Sequence, residues 1–129
     1  MGEIKTFRDL IAWQKSMQLA KEVYKATSLM PDSERFGLTA QMRRAAVSVP
    51  SNIAEGHGRQ SLQDYLRFLK TSRGSLMELQ TQLLLAQDLG FIRPTGELTD
   101  ILSETDRVLQ GLIRSLQKVQ SEGERNEHD

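Results

Sequence analysis

Apolar residues recur along four stretches of the chain at the three- and four-residue spacing that is typical of amphipathic helices. In the first stretch, residues 8–28, the repeat is carried by Leu10, Trp13, Met17, Ala20 and Tyr24. Pro31 and Asp32 follow and are expected to end this helix. Val, Ile and Thr never cluster in an alternating run, so the pattern predicts no β-strand.

The second stretch predicts a helix that starts near Ser33 and contains a proline. Asp32 or Ser33 is the predicted N-cap, and apolar residues keep their helical spacing on both sides of Pro50. A proline cannot donate a backbone hydrogen bond and crowds the preceding turn, so the helix either kinks there or ends near Ser48 and restarts. We favour a continuous helix kinked at Pro50, because the apolar spacing survives the proline. The Gly-His-Gly run at 56–58 is predicted to end it.

The third stretch predicts a helix with more apolar surface than one bundle needs. It opens at Ser61, which with Asp64 forms a weaker version of the capping box. Its main stripe has seven-residue spacing and consists of Leu62, Leu69, Leu76 and Leu83. Four further apolar residues lie off that stripe and are predicted to form an oligomer interface: Phe68, Met77, Leu84 and Leu85. Gly90 is expected to cap the helix.

The fourth helix follows Pro94, with Thr95 as its predicted N-cap. From Ser121 onward no apolar residue occurs, so residues 121–129 are expected to form a disordered acidic tail. Short connections between helices favour antiparallel neighbours. The sequence therefore predicts an all-α fold, an up-down-up-down four-helix bundle formed by residues 1–120.

Composition restricts the chemistry that the chain can perform. It contains no cysteine, which excludes disulfides, thiolate nucleophiles and sulfur-ligated metals. Its 17 basic and 17 acidic residues give a net charge of zero, which argues against a general polyanion binder. Neither a signal peptide nor a membrane-spanning run is visible, so a cytoplasmic protein without membrane contact is expected.

Candidate catalytic and metal-binding motifs are weak. Di-iron bundles need two Glu-x-x-His motifs, and here the only histidines are His57 and His128. His57 with Glu55 offers two ligands at most, so a turn histidine open to solvent is the favoured interpretation. Ser115 and Lys118 have the spacing of a serine acyl-enzyme but lack its partner motifs. We expect no cofactor, no metal and no enzymatic activity.

Basic side chains are concentrated between residues 43 and 73, where only Glu55 and Asp64 are nearby acids. The predicted nucleic-acid-binding residues are Arg43, Arg44, Arg59, Arg67, Lys70 and Arg73. Because helices 2 and 3 are antiparallel neighbours, those near the shared loop should gather and could neutralise several phosphates. The competing and favoured interpretation is a solvated helix face with local ion pairs.

Two segments resemble the signatures of bacterial four-helix-bundle proteins, also called 23S ribosomal RNA intervening-sequence proteins. The first is QMRRAAVSVPSNIAEG at 41–56, and the second is GSLMELQTQL at 74–83, followed by LGFI at 89–92. With FRDL at 7–10, the resemblance spans residues 5–119. Gln80 stands where the second signature has an acidic residue. The signature positions that we interpret as structural are Pro50, Asn52, Glu55 and Gly56, with Asn52 and Glu55 bonding backbone groups freed by the kink.

The resemblance implies four-helix bundles that assemble into a ring-like homopentamer, some of them encoded within large-subunit ribosomal RNA genes. It also implies kinship with a basic retroelement accessory protein that binds a reverse transcriptase and nucleic acid, although neutral charge fits that branch poorly. We therefore expect a non-enzymatic homo-oligomeric scaffold or adaptor. The alternative is a nucleic-acid-binding accessory, with RNA, an RNA–DNA hybrid or a reverse transcriptase as partner.

Overall fold

Four α-helices joined by short connections make up the described part of the chain, which in the computed structural model comprises residues 2–93 and 95–128, with side chains up to 126. They are α1 (Ile11–Thr27), α2 (Leu38–His57), α3 (Leu62–Asp88) and α4 (Gly96–His128). Two short 3₁₀ helices, Phe7–Asp9 and Asp32–Glu34, precede α1 and α2.

The helices pack in a closed square in which each contacts the next and α1 contacts α4. α2 and α3 are antiparallel. Ser48 of α2 contacts Ser75 of α3, and the next residue, Val49, contacts the earlier residue Ser72. The predicted all-α four-helix bundle is confirmed. Its core is aliphatic, and its largest fully buried side chains include Leu19, Met42, Ile53, Leu69, Leu76, Leu79 and Leu109. Burying each of these stabilises the fold by about 1.5–3 kcal/mol.

Side-chain and glycine caps define the predicted ends of α3 and α4. The Ser61 hydroxyl accepts a hydrogen bond from the Asp64 backbone N–H at 3.0 Å, and the Thr95 hydroxyl accepts one from Leu98 at 3.1 Å. Gly90 adopts a φ of +75°, which lets the Phe91 N–H reach the carbonyl of Ala86 at 2.9 Å. This is the Schellman arrangement that closes a helix. Pro94, predicted to precede α4, lies outside the described residues.

The first two helices begin later than the sequence predicts. Leu10 is extended and separates the 3₁₀ turn Phe7–Asp9 from α1, so the predicted start at Arg8 is wrong. The predicted N-cap of α2 at Asp32 or Ser33 is also wrong, because these residues belong to the separate 3₁₀ turn. Gly37, with φ −104° and ψ −113°, interrupts the helical path before Leu38.

α2 continues through Pro50, which is buried, so the alternative of a break at Ser48 does not occur. The kink itself stays a prediction. α4 also continues where a disordered tail was expected, and residues 121–128 are helical. Glu and Arg favour helices, and extending an existing helix avoids the cost of nucleation. The last residue of the expected tail, Asp129, lies outside the described residues.

Candidate interaction surfaces

Small residues allow α2 and α3 to approach each other closely. A β-carbon added to Gly56 would lie 2.7 Å from the β-carbon of Phe68 and 3.2 Å from the carbonyl oxygen of Tyr65. Contacts under 3.0 Å do not occur between real side chains of this kind, so only glycine fits there without moving α3. The signature glycine therefore has a packing role within one chain.

A polar cluster joins the same two helices farther from the α2–α3 connection than the Gly56 contact. The Ser48 and Ser75 hydroxyl groups are 2.8 Å apart, and the Asn52 side-chain amide donates to the Ser48 carbonyl at 2.8 Å. Buried Ser72 donates to the carbonyl of Val49 at 2.7 Å. Asn52 thus bonds the Ser48 carbonyl and not that of Ala46, which is the carbonyl that Pro50 leaves without its helical donor. The Glu55 carboxylate pairs with Arg59 at 3.0 Å.

Two of the six predicted nucleic-acid-binding residues are engaged by other helices. The Arg43 side chain donates to the Thr27 hydroxyl at 2.8 Å and lies 4.6 Å from the centre of the Tyr24 ring, so it is directed at α1. Arg73 pairs with Asp106 of α4 at 3.2 Å. Arg44 is exposed on α2 and forms no ion pair within the described residues. The six residues therefore do not form one patch.

The remaining three, Arg59, Arg67 and Lys70, gather where α2 meets α3, and we call them the basic corner. The guanidinium carbons of Arg59 and Arg67 lie 4.7 and 4.8 Å from the centre of the Phe68 ring. Arg59 pairs with Glu55, and Arg67 pairs with Asp64 at 3.4 Å. The two acids that the sequence placed near the basic residues thus neutralise two of them.

Lys70 stands beside this pair of arginines. It lines a shallow groove together with Arg67 of α3 and Gln120 of α4. Among the described residues it forms no ion pair. Lys70 is therefore the cation of the basic corner whose charge no described carboxylate offsets.

His57 is the last residue of α2, and its ring packs edge-on against Tyr65 at 5.7 Å. It is half-buried, so the expectation of a histidine open to solvent is wrong. Burial also raises the pKa of Tyr65, since the phenolate would lose hydration. Within the described residues no three His, Asp or Glu side chains are placed to share a metal ion. Ser115 and Lys118 are exposed on α4.

The four predicted interface residues divide into two pairs. Leu84 and Leu85 lie outside the core, with 55% and 48% of their surfaces exposed. Phe68 and Met77 are half-buried, and Met77 packs against the core of its own chain. The apolar excess of α3 is therefore exposed only toward its C-terminal end.

An apolar groove between α1 and α2 was not predicted from the sequence. It has a volume of about 510 Å³ and is lined mainly by Trp13, Met17, Tyr24, Val47, Pro50 and Ala54. The residues from α1 were interpreted as part of its inward stripe. Val47 was the available signal, because it is apolar but falls outside the inward spacing of Ala45, Val49 and Ile53.

Further apolar side chains are exposed at the end of the bundle where α1 and α3 finish. Leu29 and Phe36 of the α1–α2 connection are 81% and 88% exposed, and Leu89 after α3 is 54% exposed. The basic corner lies at the opposite end. None of the helices described here has an apolar segment long enough to cross a membrane.

Residues 8–114 match the family described as 23S rRNA-intervening sequence protein. A comparison with curated proteins returned no match. The match includes the close α2–α3 contact around Gly56, the basic corner and the three apolar surfaces. Since it spans most of the 129 residues, the chain belongs to the 23S rRNA-intervening sequence protein family.

Proposed function

We propose that the chain is a non-catalytic, homo-oligomeric scaffold or adaptor, in keeping with the ring-like pentamer that its resemblance implies. The observation that carries the proposal is the apolar surface left exposed on two sides of the bundle. One side presents the α1–α2 groove around Val47, and the other presents Leu84 and Leu85 on α3. Extended apolar surface is uncommon on monomers and is characteristic of interaction sites.

The positions of these two surfaces favour a contact between unlike faces. Helices follow one another around the bundle in chain order, so the α1–α2 side lies opposite the α3–α4 side. Leu84 borders the α3–α4 side, where it lines a depression together with Leu102. A contact between two different faces is heterologous, and such contacts build rings or open filaments.

Light scattering coupled to gel filtration tests the proposal. We expect the chain to elute as an assembly at micromolar concentration, and a monomer would contradict the scaffold. Val47→Gln and Leu84→Gln should each favour smaller species, because a polar group would be buried at the contact. Val119→Gln is the matched control, since Val119 is 55% exposed on α4, away from both surfaces. Assembly that survives both substitutions would retain the scaffold but reject these surfaces.

A second candidate function is that of a nucleic-acid-binding accessory protein. It is favoured by the basic corner, where Arg59 and Arg67 contact the same Phe68 ring and Lys70 lines a groove with Arg67. Fluorescence anisotropy with a structured RNA hairpin and an RNA–DNA hybrid tests it at low and moderate salt. Arg67→Glu combined with Lys70→Glu should abolish binding, and unchanged binding would exclude this surface. Arg44→Glu is a control on a different part of α2.

A further inference from the structure

The orientation of the arginines in the basic corner is fixed by two kinds of contact. The guanidinium carbon of each lies over the Phe68 ring, 4.7 Å from its centre for Arg59 and 4.8 Å for Arg67. A carboxylate then holds each group, Glu55 in one case and Asp64 in the other. The side chains remain 45% and 64% exposed, so both arginines are accessible from solvent.

The same carboxylates reduce the attraction of the corner for phosphate. The charges of Glu55 and Asp64 offset those of Arg59 and Arg67, which leaves Lys70 as the cation of the basic corner that pairs with no described carboxylate. Proteins that bind duplexes through the backbone neutralise several phosphates, and their affinity falls steeply with salt. One uncompensated lysine cannot supply that number of contacts. Any nucleic acid bound here must therefore gain most of its affinity from another interaction.

We infer that the basic corner binds unpaired nucleotides of single-stranded nucleic acid by stacking their bases on the exposed planes of Arg59 and Arg67. Guanidinium planes and aromatic rings are the usual platforms for unpaired bases. In a duplex the base faces are covered by neighbouring bases, so a duplex cannot use these platforms. Lys70 contacts a phosphate of the same strand. This inference rests on the second candidate function and specifies its ligand class.

Fluorescence anisotropy of the full chain distinguishes stacking from phosphate binding. The probes are a labelled oligoadenylate of about 12 nucleotides, within the usual range of single-strand sites, and the same strand paired with oligouridylate. We expect the single strand to bind more tightly than the duplex. Its log affinity should fall with log salt at a slope of about one or less, as a single phosphate contact requires.

Arg59→Lys and Arg67→Lys provide the decisive variants, because lysine keeps the charge but lacks the planar group. Each should weaken binding of the single strand by about tenfold or more, the size of one lost stacking contact. Arg44→Lys, elsewhere on α2, should leave binding unchanged. Circular dichroism during heating verifies that all three variants keep the wild-type fold.

The possible outcomes separate the inference from the function on which it rests. Equal or tighter binding of the duplex, or full affinity in both lysine variants, overturns stacking but leaves a nucleic-acid-binding accessory in place. If the chain binds neither the single strand, nor the duplex, nor the structured RNA, both the stacking site and the nucleic-acid-binding function are excluded. Preferential binding of the single strand that both lysine variants weaken supports the stacking site.

Discussion

Gly56 of α2 lies so close to Phe68 of α3 that an added β-carbon would come within 2.7 Å of the Phe68 β-carbon. We therefore expect Gly56→Ala to lower the free energy of unfolding. Overpacking a tight contact costs about 1–3 kcal/mol, and the better helix propensity of alanine returns at most about 1 kcal/mol. Urea unfolding followed by circular dichroism measures the net change.

Gly74→Ala is the matched control, because Gly74 also lies within a helix, but apart from its own helix backbone no described atom lies within 4 Å of the place that an added β-carbon would take. It should raise the free energy of unfolding by up to about 1 kcal/mol, the gain from removing glycine from a helix interior. Equal effects of the two substitutions would refute the packing role assigned to Gly56.

Ser72 makes a buried hydrogen bond between helices, donating to the Val49 carbonyl at 2.7 Å. Ser72→Ala should lower the free energy of unfolding by about 1 kcal/mol, the typical net value of such a bond. The neighbouring Thr71 bonds only its own helix, through the Arg67 carbonyl, and is exposed. Thr71→Ala should therefore change stability by less than about 0.5 kcal/mol. Chemical unfolding of both variants provides the comparison, and a larger loss in Thr71→Ala would contradict it.

Tyr65 should make the stability of the fold sensitive to alkaline pH. Burial raises its pKa in the folded state above the unfolded value of about 10. Its contribution is therefore fully present below about pH 10 and is lost as pH rises through the folded pKa. Unfolding free energies measured between about pH 8 and pH 11 should fall less in Tyr65→Phe than in the wild type. Tyr24→Phe is the control, and parallel curves for Tyr65→Phe and the wild type would rule out the effect.

Trp13 is the single tryptophan of the chain and lines the α1–α2 groove. If the groove is covered in an assembly, dilution to the monomer should shift Trp13 emission to longer wavelength, because the indole gains contact with water. Val47→Gln should produce the same shift without dilution. Emission that stays constant while light scattering reports dissociation would place the interface elsewhere.

Removal of residues 121–129 tests how α4 ends. Residues 121–126 are exposed, and no apolar residue occurs in the segment. Truncation should therefore change the free energy of unfolding by less than about 0.5 kcal/mol. The helical circular dichroism signal should fall, because residues 121–128 are helical. A loss of stability well above that limit would indicate that the segment packs against another surface.

The periodic features of the sequence were sufficient to predict the bundle. The seven-residue leucine spacing predicted the buried face of α3. Helix ends were predicted from the caps at Ser61, Gly90 and Thr95, because capping depends on residues that are close in sequence. The start of α2 was mispredicted because Asp32 and Ser33 can begin a 3₁₀ turn as well as an α-helix. Only the backbone conformation of Gly37 distinguishes the two outcomes.

The candidate surfaces depend on contacts between helices and were predictable only in part. The sequence placed Arg43 and Arg73 in one group with Arg67. In the structure Arg43 bonds Thr27 of α1 and Arg73 pairs with Asp106 of α4, so neither side chain joins the basic corner. Spacing along one helix does not show which neighbour a long side chain will reach. Leu84 and Leu85 are exposed, as their position off the main stripe of α3 indicated, while their place in an interface stays a prediction. The α1–α2 groove was missed because it depends on the distance between two helices.

Phe68 connects the interior of the bundle with its surface. One part of its side chain fills the space that Gly56 leaves, and its ring supports the guanidinium groups of Arg59 and Arg67. The distance between α2 and α3 therefore determines where the Phe68 ring and the two guanidinium groups lie on the surface. Any substitution that widens this distance would move both guanidinium groups as well as loosen the core, and would thereby weaken the nucleotide binding that we propose for the basic corner.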